Sequence, residues 1–260
     1  MTRTADRIHD PLTALLPTAT DADRAWLVWY APGERVELTG RVLDMWQCKI
    51  ANLLTEEAPV AGTEPGLLVH LGMGVHWRTV TWCCGAWLAG GTVTFTSPAD
   101  VSVAFAPNEL DAHAQLQVLV PRAALAMHWP GSLPPLVLDG VADVMSQPDA
   151  FTAPVVDGAR AAVRQDATQA PGAPAQASRT ALVAGLAESS NPTDAPDGSD
   201  STERAPGTGA RPRAALVCSN TALEAMRGVL AAWRNGLTAV LVSPDADAEL
   251  IQAAARQEGA

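Results

Sequence analysis

Lysine is almost missing from this 260-residue chain, and Lys49 is the only one. Chemistry that needs an ammonium side chain therefore has one candidate. Lys and Arg together number 17 against 28 acidic residues, a formal net charge of -11. That balance repels phosphate backbones and argues against a nucleic-acid partner. Tyrosine occurs once, as Tyr30, and phenylalanine 3 times. Cysteine is sparse too, and Cys48, Cys83, Cys84 and Cys218 match no zinc spacing. They read as small buried thiols in a reducing cytosol. No two histidines lie at metal-ligand helical spacing, so no metal is expected. The start of the chain, MTRTADRIHDPLTALL, lacks the apolar core of a secretion signal. The longest apolar run, Val80 to Phe95, is broken by threonines and glycines and falls short of the ~20 residues of a membrane span. These absences lead us to expect a soluble, cytoplasmic protein with neither membrane nor nucleic acid as partner.

What is present is apolar and periodic. Hydrophobic residues make up 48% of the chain, with 8 tryptophans among them. The organising stretch is Pro65 to Ser97, PGLLVHLGMGVHWRTVTWCCGAWLAGGTVTFTS. Leu67–His70 has the length of a buried strand, and Gly72 and Gly74 mark a turn. Val75–Leu88 predicts an apolar helix, Gly90–Gly91 its end, and Thr92–Phe95 a β-branched strand. A crossover of this length suits two parallel strands. Trp77, Trp82 and Trp87 spread around their helix, which implies burial on most sides, in the core or at a subunit interface.

Upstream, Asp10–Leu16 reads as a short helix, and Trp26–Tyr30 with Arg35–Leu38 as a hairpin around Pro32–Gly33. Thr39 caps a helix that runs through Leu54, with Lys49 beside its apolar face, its stem on the core edge and its amine in water. Downstream, Asp100–Phe105 reads as a strand, Leu110–Val120 has helical spacing, Ala123–Met127 is undecided, and Pro134–Asp139 is a short strand. Asp143–Phe151 reads as a loop or helical turn. Residues 165–212 are rich in Ala, Pro, Gly, Ser and Asp, and predict a flexible insertion holding one short helix at Thr180–Glu188. Residues 213–260 read strand, helix, strand, helix. Thr221 to Glu224 forms a capping box for the first of those helices. Residues 1–164 and 213–260 together imply an α/β fold in three layers: a mostly parallel sheet with helices on both faces.

The order of these elements resembles a known family. ERVELTGRVLDMWQCKIANLL resembles the opening block of adenylate-forming (AMP-binding) enzymes: acyl-CoA synthetases, luciferases and peptide-synthetase adenylation domains. The Pro65–Ser97 stretch resembles their next block, with His76–Trp77 in place of a Glu–Trp and Ala89–Gly90–Gly91 in place of Ala–Gly–Ala. As a whole, the chain resembles a short actinobacterial family similar to the N-terminal part of those enzymes. The resemblance implies the fold of their N-terminal subdomain. It would also imply ATP or AMP as cofactor, but the motifs do not support that. APGTGARPR contains no lysine and no Ser/Thr-rich phosphate loop, and Gly207–Thr208–Gly209 reads as linker. The family's adenine, ribose and C-terminal lysine motifs are missing.

Candidate binding residues lie where an open α/β sheet presents its carboxyl edge. Gly72, Gly74, His76, Trp77 and Arg78 would hold an anion or small ligand at a helix N-terminus. Cys218, at a strand end before a helix, is the position of a nucleophile, although the run AALVC favours a buried thiol. No catalytic set emerges. Two readings stay open: a catalytically silent relative that binds a ligand or protein partner, homodimer included, and an enzyme that binds nucleotide or acyl ligand and needs a partner for catalysis.

Overall fold

The computed structural model describes residues 10–21, 23–58, 66–165, 176–188 and 213–260. The expected Gly207–Thr208–Gly209 linker and most of the expected insertion lie outside the described residues. In chain order the elements are β1 (Ala25–Ala31), β2 (Glu34–Thr39), α1 (Gly40–Glu57), β3 (Leu68–Leu71), α2 (Trp77–Leu88) and β4 (Thr92–Thr94). Then come β5 (Val101–Ala104), β6 (Leu116–Leu119), β7 (Val137–Asp139), α3 (Ala142–Ser146), β8 (Ala161–Arg164), β9 (Gln176–Ser178) and α4 (Arg179–Glu188). The last four are β10 (Ala214–Cys218), α5 (Ala222–Arg234), β11 (Thr238–Val242) and α6 (Ala248–Glu258).

The fold is α/β with mostly parallel strands, but the strands divide between two sheets. A 7-stranded sheet has the order β7-β6-β5-β3-β4-β8-β9, and only β9 runs antiparallel to its neighbour. A 4-stranded sheet has the order β10-β11-β1-β2. In it β1 runs parallel to β11 and antiparallel to β2. The N-terminal hairpin thus pairs with the C-terminal strands and not with the central unit. Side chains alternate as strands require: Leu27, Trp29, Ala239 and Leu241 join the large core, whereas Val28, Tyr30, Val240 and Val242 form a smaller core with Ala254 of α6. Helices therefore cover both faces of the small sheet.

Between the sheets, α1 crosses α2 and α4 packs on α5. Gly85 makes the first crossing close: a Cβ there would sit 2.4 Å from Ile50 Cγ2. Every residue of α2 is buried, and Trp87 Nε1 donates to the Ala162 carbonyl at 2.8 Å. The tryptophan-rich helix is therefore core, and its side chains cannot form a subunit interface. A second lock is a buried ion pair. Arg179 donates to Asp10 Oδ2, to the Trp87 carbonyl at 3.1 Å and to the Gly91 carbonyl at 2.9 Å. Asp10 in turn accepts from the Leu12 amide at 3.0 Å.

Several local expectations need correction. Asp10–Leu16 holds only a 3-10 turn at Thr13–Leu15. Leu110–Val120 is not helical. Asp111 accepts amides from Ala99 and His113, which turns the chain, and Leu116–Leu119 then pairs with β5, so tertiary pairing overrides the apparent spacing. Ala123–Met127 forms turns, neither strand nor helix. Lys49 does not hold its amine in water. Its Nζ contacts Asp149 Oδ1 at 2.7 Å and donates to the carbonyls of Met145, at 3.1 Å, and Gln147. Gln176–Glu188, within the expected insertion, forms β9 and α4, and Arg179 is fully buried. Among the described residues no helix is long and apolar enough to cross a membrane.

Two substitutions test this packing. Gly85→Ala gains up to about 1 kcal/mol in helix propensity. It forces the α1–α2 crossing apart, and we expect a net loss of about 1–3 kcal/mol in urea unfolding. Asp10→Asn leaves Arg179 charged, buried and unpaired, and the expected loss is about 3–5 kcal/mol by the same measurement. An unchanged midpoint in either variant would show that the contact is not holding the fold.

Candidate functional site

β3 delivers the chain to α2 through Gly72–His76. Gly74 has φ +64, a left-handed backbone that glycine adopts without strain. Gly72 has no room for a side chain: a Cβ would lie 3.0 Å from the Glu109 carbonyl oxygen and 3.2 Å from the His70 ring. His76 caps α2, its Nδ1 accepting from the Arg78 amide at 3.1 Å. Its ring lies 4.9 Å from Trp29, 5.8 Å from Trp77 and 4.8 Å, edge-on, from Phe105. Arg78 is 2% exposed. Its guanidinium lies over Trp77 at 4.4 Å and Trp46 at 5.6 Å, and donates to the carbonyls of Ala123 at 3.1 Å and Ala124 at 3.4 Å.

The five predicted residues thus share one neighbourhood, but the protein fills it with its own groups. The loop at Pro121–Ala126 straps over Arg78. Glu34 secures the strap, accepting from the Ala124 amide at 3.3 Å and from Trp29 Nε1 at 3.0 Å. Arg122 stacks on Phe105 at 4.5 Å. The space left beside His76 is about 10 Å³, room for no more than a single water. Among the described residues, Arg78 Nε and Trp77 Nε1 are buried and find no hydrogen-bond acceptor.

The electrostatics follow from burial. Desolvation holds the His76 imidazole down at about 3, and the charges of Arg122 and Arg78 push the same way. Desolvation also lowers Arg78 to about 10, with Glu34 acting in opposition. His76 is therefore a neutral hydrogen-bond acceptor at physiological pH, and Arg78 is a buried cation enclosed by indole faces.

Glu34, Trp29, Phe105 and Arg122 were not legible as site residues. They come from β2, β1, the end of β5 and the strap, and no local spacing links them. A Ser–His pair also appears: His70 Nδ1 lies 3.0 Å from Ser102 Oγ, which accepts the Asp111 amide at 2.8 Å. Ser102 is 0% exposed, and the Asp111 carboxylate serves backbone amides, so the group braces the sheet and presents no nucleophile. Cys218 is exposed, contrary to the buried thiol expected, because β10 ends an edge of its sheet. Its thiol is raised by partial desolvation, which removes the case for an activated nucleophile. Among the described residues no cluster of His, Cys, Asp and Glu could hold a metal ion. Roomier clefts lie elsewhere: one of about 650 Å³ beside Thr92, Arg160, Arg164 and Gln176, and one of about 630 Å³ between β10 and α5.

Comparison with known proteins places this geometry in context. No family model matches the chain. A protein of Mycobacterium tuberculosis described as a "TIGR03089 family protein" is 36% identical over 97 residues, which is 37% of this chain and 37% of that protein. Among solved structures, the acyl-CoA synthetase of Brucella canis aligns over 100% of this chain and 51% of its own, with TM-score 0.67 and 17% identity. A mutant form of the coronafacic acid ligase of Pectobacterium brasiliense covers 95% of this chain and 48% of its own, with TM-score 0.66 and 11% identity. Acetoacetyl-CoA synthetase from Streptomyces lividans covers 89% and 38%, with TM-score 0.61 and 14% identity. The alignments thus span about half or less of the length of each of these four proteins. At these identities the likeness is one of fold, and the fold is that of the N-terminal subdomain of acyl-CoA synthetases, as the sequence resemblance implied.

The buried histidine gives a pH test. The folded value of His76, about 3, lies below its ordinary 6.5. Between those values the unfolded chain holds a proton that the folded chain refuses, so stability falls as pH drops through that window. One proton corresponds to at most about 1.4 kcal/mol per pH unit. His76→Asn keeps a capping oxygen and removes the titration. Urea unfolding at pH 7, 6 and 5 should give a shallower decline in the variant than in the parent, and parallel declines would refute the assignment.

Proposed function

We propose that this chain is a binding or interaction module built on the adenylate-forming fold, a pseudoenzyme that carries out no adenylation of its own. The observation that carries this reading is the position of Lys49. The only ammonium side chain is 7% exposed and clamped by Asp149, Met145 and Gln147. Acyl-adenylate formation requires cationic groups poised on a phosphate as charge redistributes in the transition state. The resemblance implies that lysines of other motifs do this work in the family, and the one lysine of this chain instead fastens the α3 region to α1. The tight packing around His76 supports the same reading, since the cavity of about 10 Å³ beside it is too small for an acyl group.

In this reading Gly72, Gly74, His76, Trp77 and Arg78 are the ligand-facing turn, reached when the Pro121–Ala126 strap lifts from Arg78. The unpartnered Arg78 Nε and Trp77 Nε1 are the donors such a ligand would take up. In this reading the module is cytoplasmic, and its body takes in Gln176–Glu188 together with the other described residues.

ATP–pyrophosphate exchange over a panel of carboxylic acids, with an ATP thermal-shift titration alongside, tests the proposal. We expect neither exchange nor shift. Exchange with any acid would overturn the reading in favour of an acyl-activating enzyme.

A further inference from the structure

The small sheet ends on a strand that natural proteins usually protect. Among the described residues β10 pairs only with β11. Its sequence, AALVC, carries no charge and no proline, the usual devices that blunt an edge. The hydrogen-bond alternation shows which groups are free. The Thr238 amide donates to the Arg213 carbonyl at 3.0 Å. In a parallel ladder every second residue turns both its N–H and its C=O to the same neighbour. Arg213, Ala215 and Val217 therefore face β11, whereas the amides and carbonyls of Ala214, Leu216 and Cys218 face the open edge. Beside that edge runs the cleft of about 630 Å³, its far wall made of the small residues Gly228 and Ala231 of α5.

We propose that this edge joins two copies of the chain, β10 against β10 in antiparallel register about a two-fold axis at Leu216. The register follows from the free groups. Leu216 meets its own copy, and Ala214 meets Cys218 of the other chain, so every edge-facing residue enters a hydrogen-bonded pair. The two small sheets then merge into one continuous sheet.

Charge selects a second copy as the occupant. Arg213 is exposed, and no ion pair is made by it among the described residues. Glu224 is exposed as well, and its carboxylate accepts only from Ser219 Oγ at 3.1 Å and Thr221 Oγ1 at 3.0 Å, with no cation on it. In the proposed register Arg213 of one chain lies beside Ser219 of the other, and hence beside the Glu224 carboxylate bonded to that serine. The two-fold axis makes this contact twice. A chain of net charge -11 offers few such self-complementary places.

The inference is independent of the adenylation result, since a silent module can be monomeric and an active enzyme can dimerise this way. Sedimentation equilibrium of the full chain across a broad concentration series should give a dimer, and a monomer throughout would overturn the proposal. Leu216→Pro removes an amide on the open side and leaves the β11 ladder intact. It should weaken the dimer about tenfold or more, since two symmetric hydrogen bonds are lost. An undiminished dimer in a folded Leu216→Pro chain would refute the register. A folding failure in that variant is covered by Ala214→Cys, which sets two thiols opposite across the axis within disulfide reach. Diamide should then yield a covalent dimer that Cys218→Ser abolishes. Absence of the crosslink, or its survival in Ala214→Cys/Cys218→Ser, would sink the proposal.

Discussion

The close crossing of α1 and α2 at Gly85 is the constraint on which the molecule rests. One helix belongs with the small sheet and the other with the large one, so their contact joins the two halves. With no side chain at Gly85, Ile50 seats directly on the α2 backbone. Helices this close bring Trp46 of α1 against Trp77 of α2, at 6.2 Å between ring centroids. Arg78 then lies over both indoles. The packed character of the candidate site is thus a consequence of helix spacing decided two turns further along α2.

Cations do structural work throughout this acidic chain. Arg179 ties the Asp10 segment, the end of α2 and the start of α4 into one knot. Lys49 holds the Met145–Asp149 segment on α1. Arg78 holds the Pro121–Ala126 strap. Each is a buried charge satisfied by carbonyls, by a carboxylate or by aromatic faces, and each would be costly to strip of its partners. Lys49, committed in this way, is not free to meet a substrate phosphate. That commitment supports the proposal that the chain acts as a binding module. The edge of β10 is the reverse case, a row of polar backbone groups with no partner strand among the described residues.

Much of the fold was legible because it is local. The helix at Trp77–Leu88, its flanking strands, the Thr39 cap and the Thr221–Glu224 capping box all announce themselves through short-range spacing, and the structure reproduces them. Spacing misled at Leu110–Val120, where apolar residues at helical intervals form a strand because β5 and β7 lie ready on either side. It also misled at Lys49, where the anchoring carbonyls come from residues distant in sequence. Glu34, Phe105 and Arg122 escaped notice as partners of His76 and Arg78 for the same reason.

The amino-acid sequence by itself determined the class of the fold, the presence of a turn at Gly72–Gly74, and the shortage of lysine. These are properties of composition and of neighbours along the chain. Only the tertiary structure decided that β1 and β2 leave the central unit to pair with β11, that the turn is closed over by a strap, and that β10 faces outward. Strand partners and cavity contents depend on which distant segments reach a surface first and fill it, and that competition leaves no mark on local spacing.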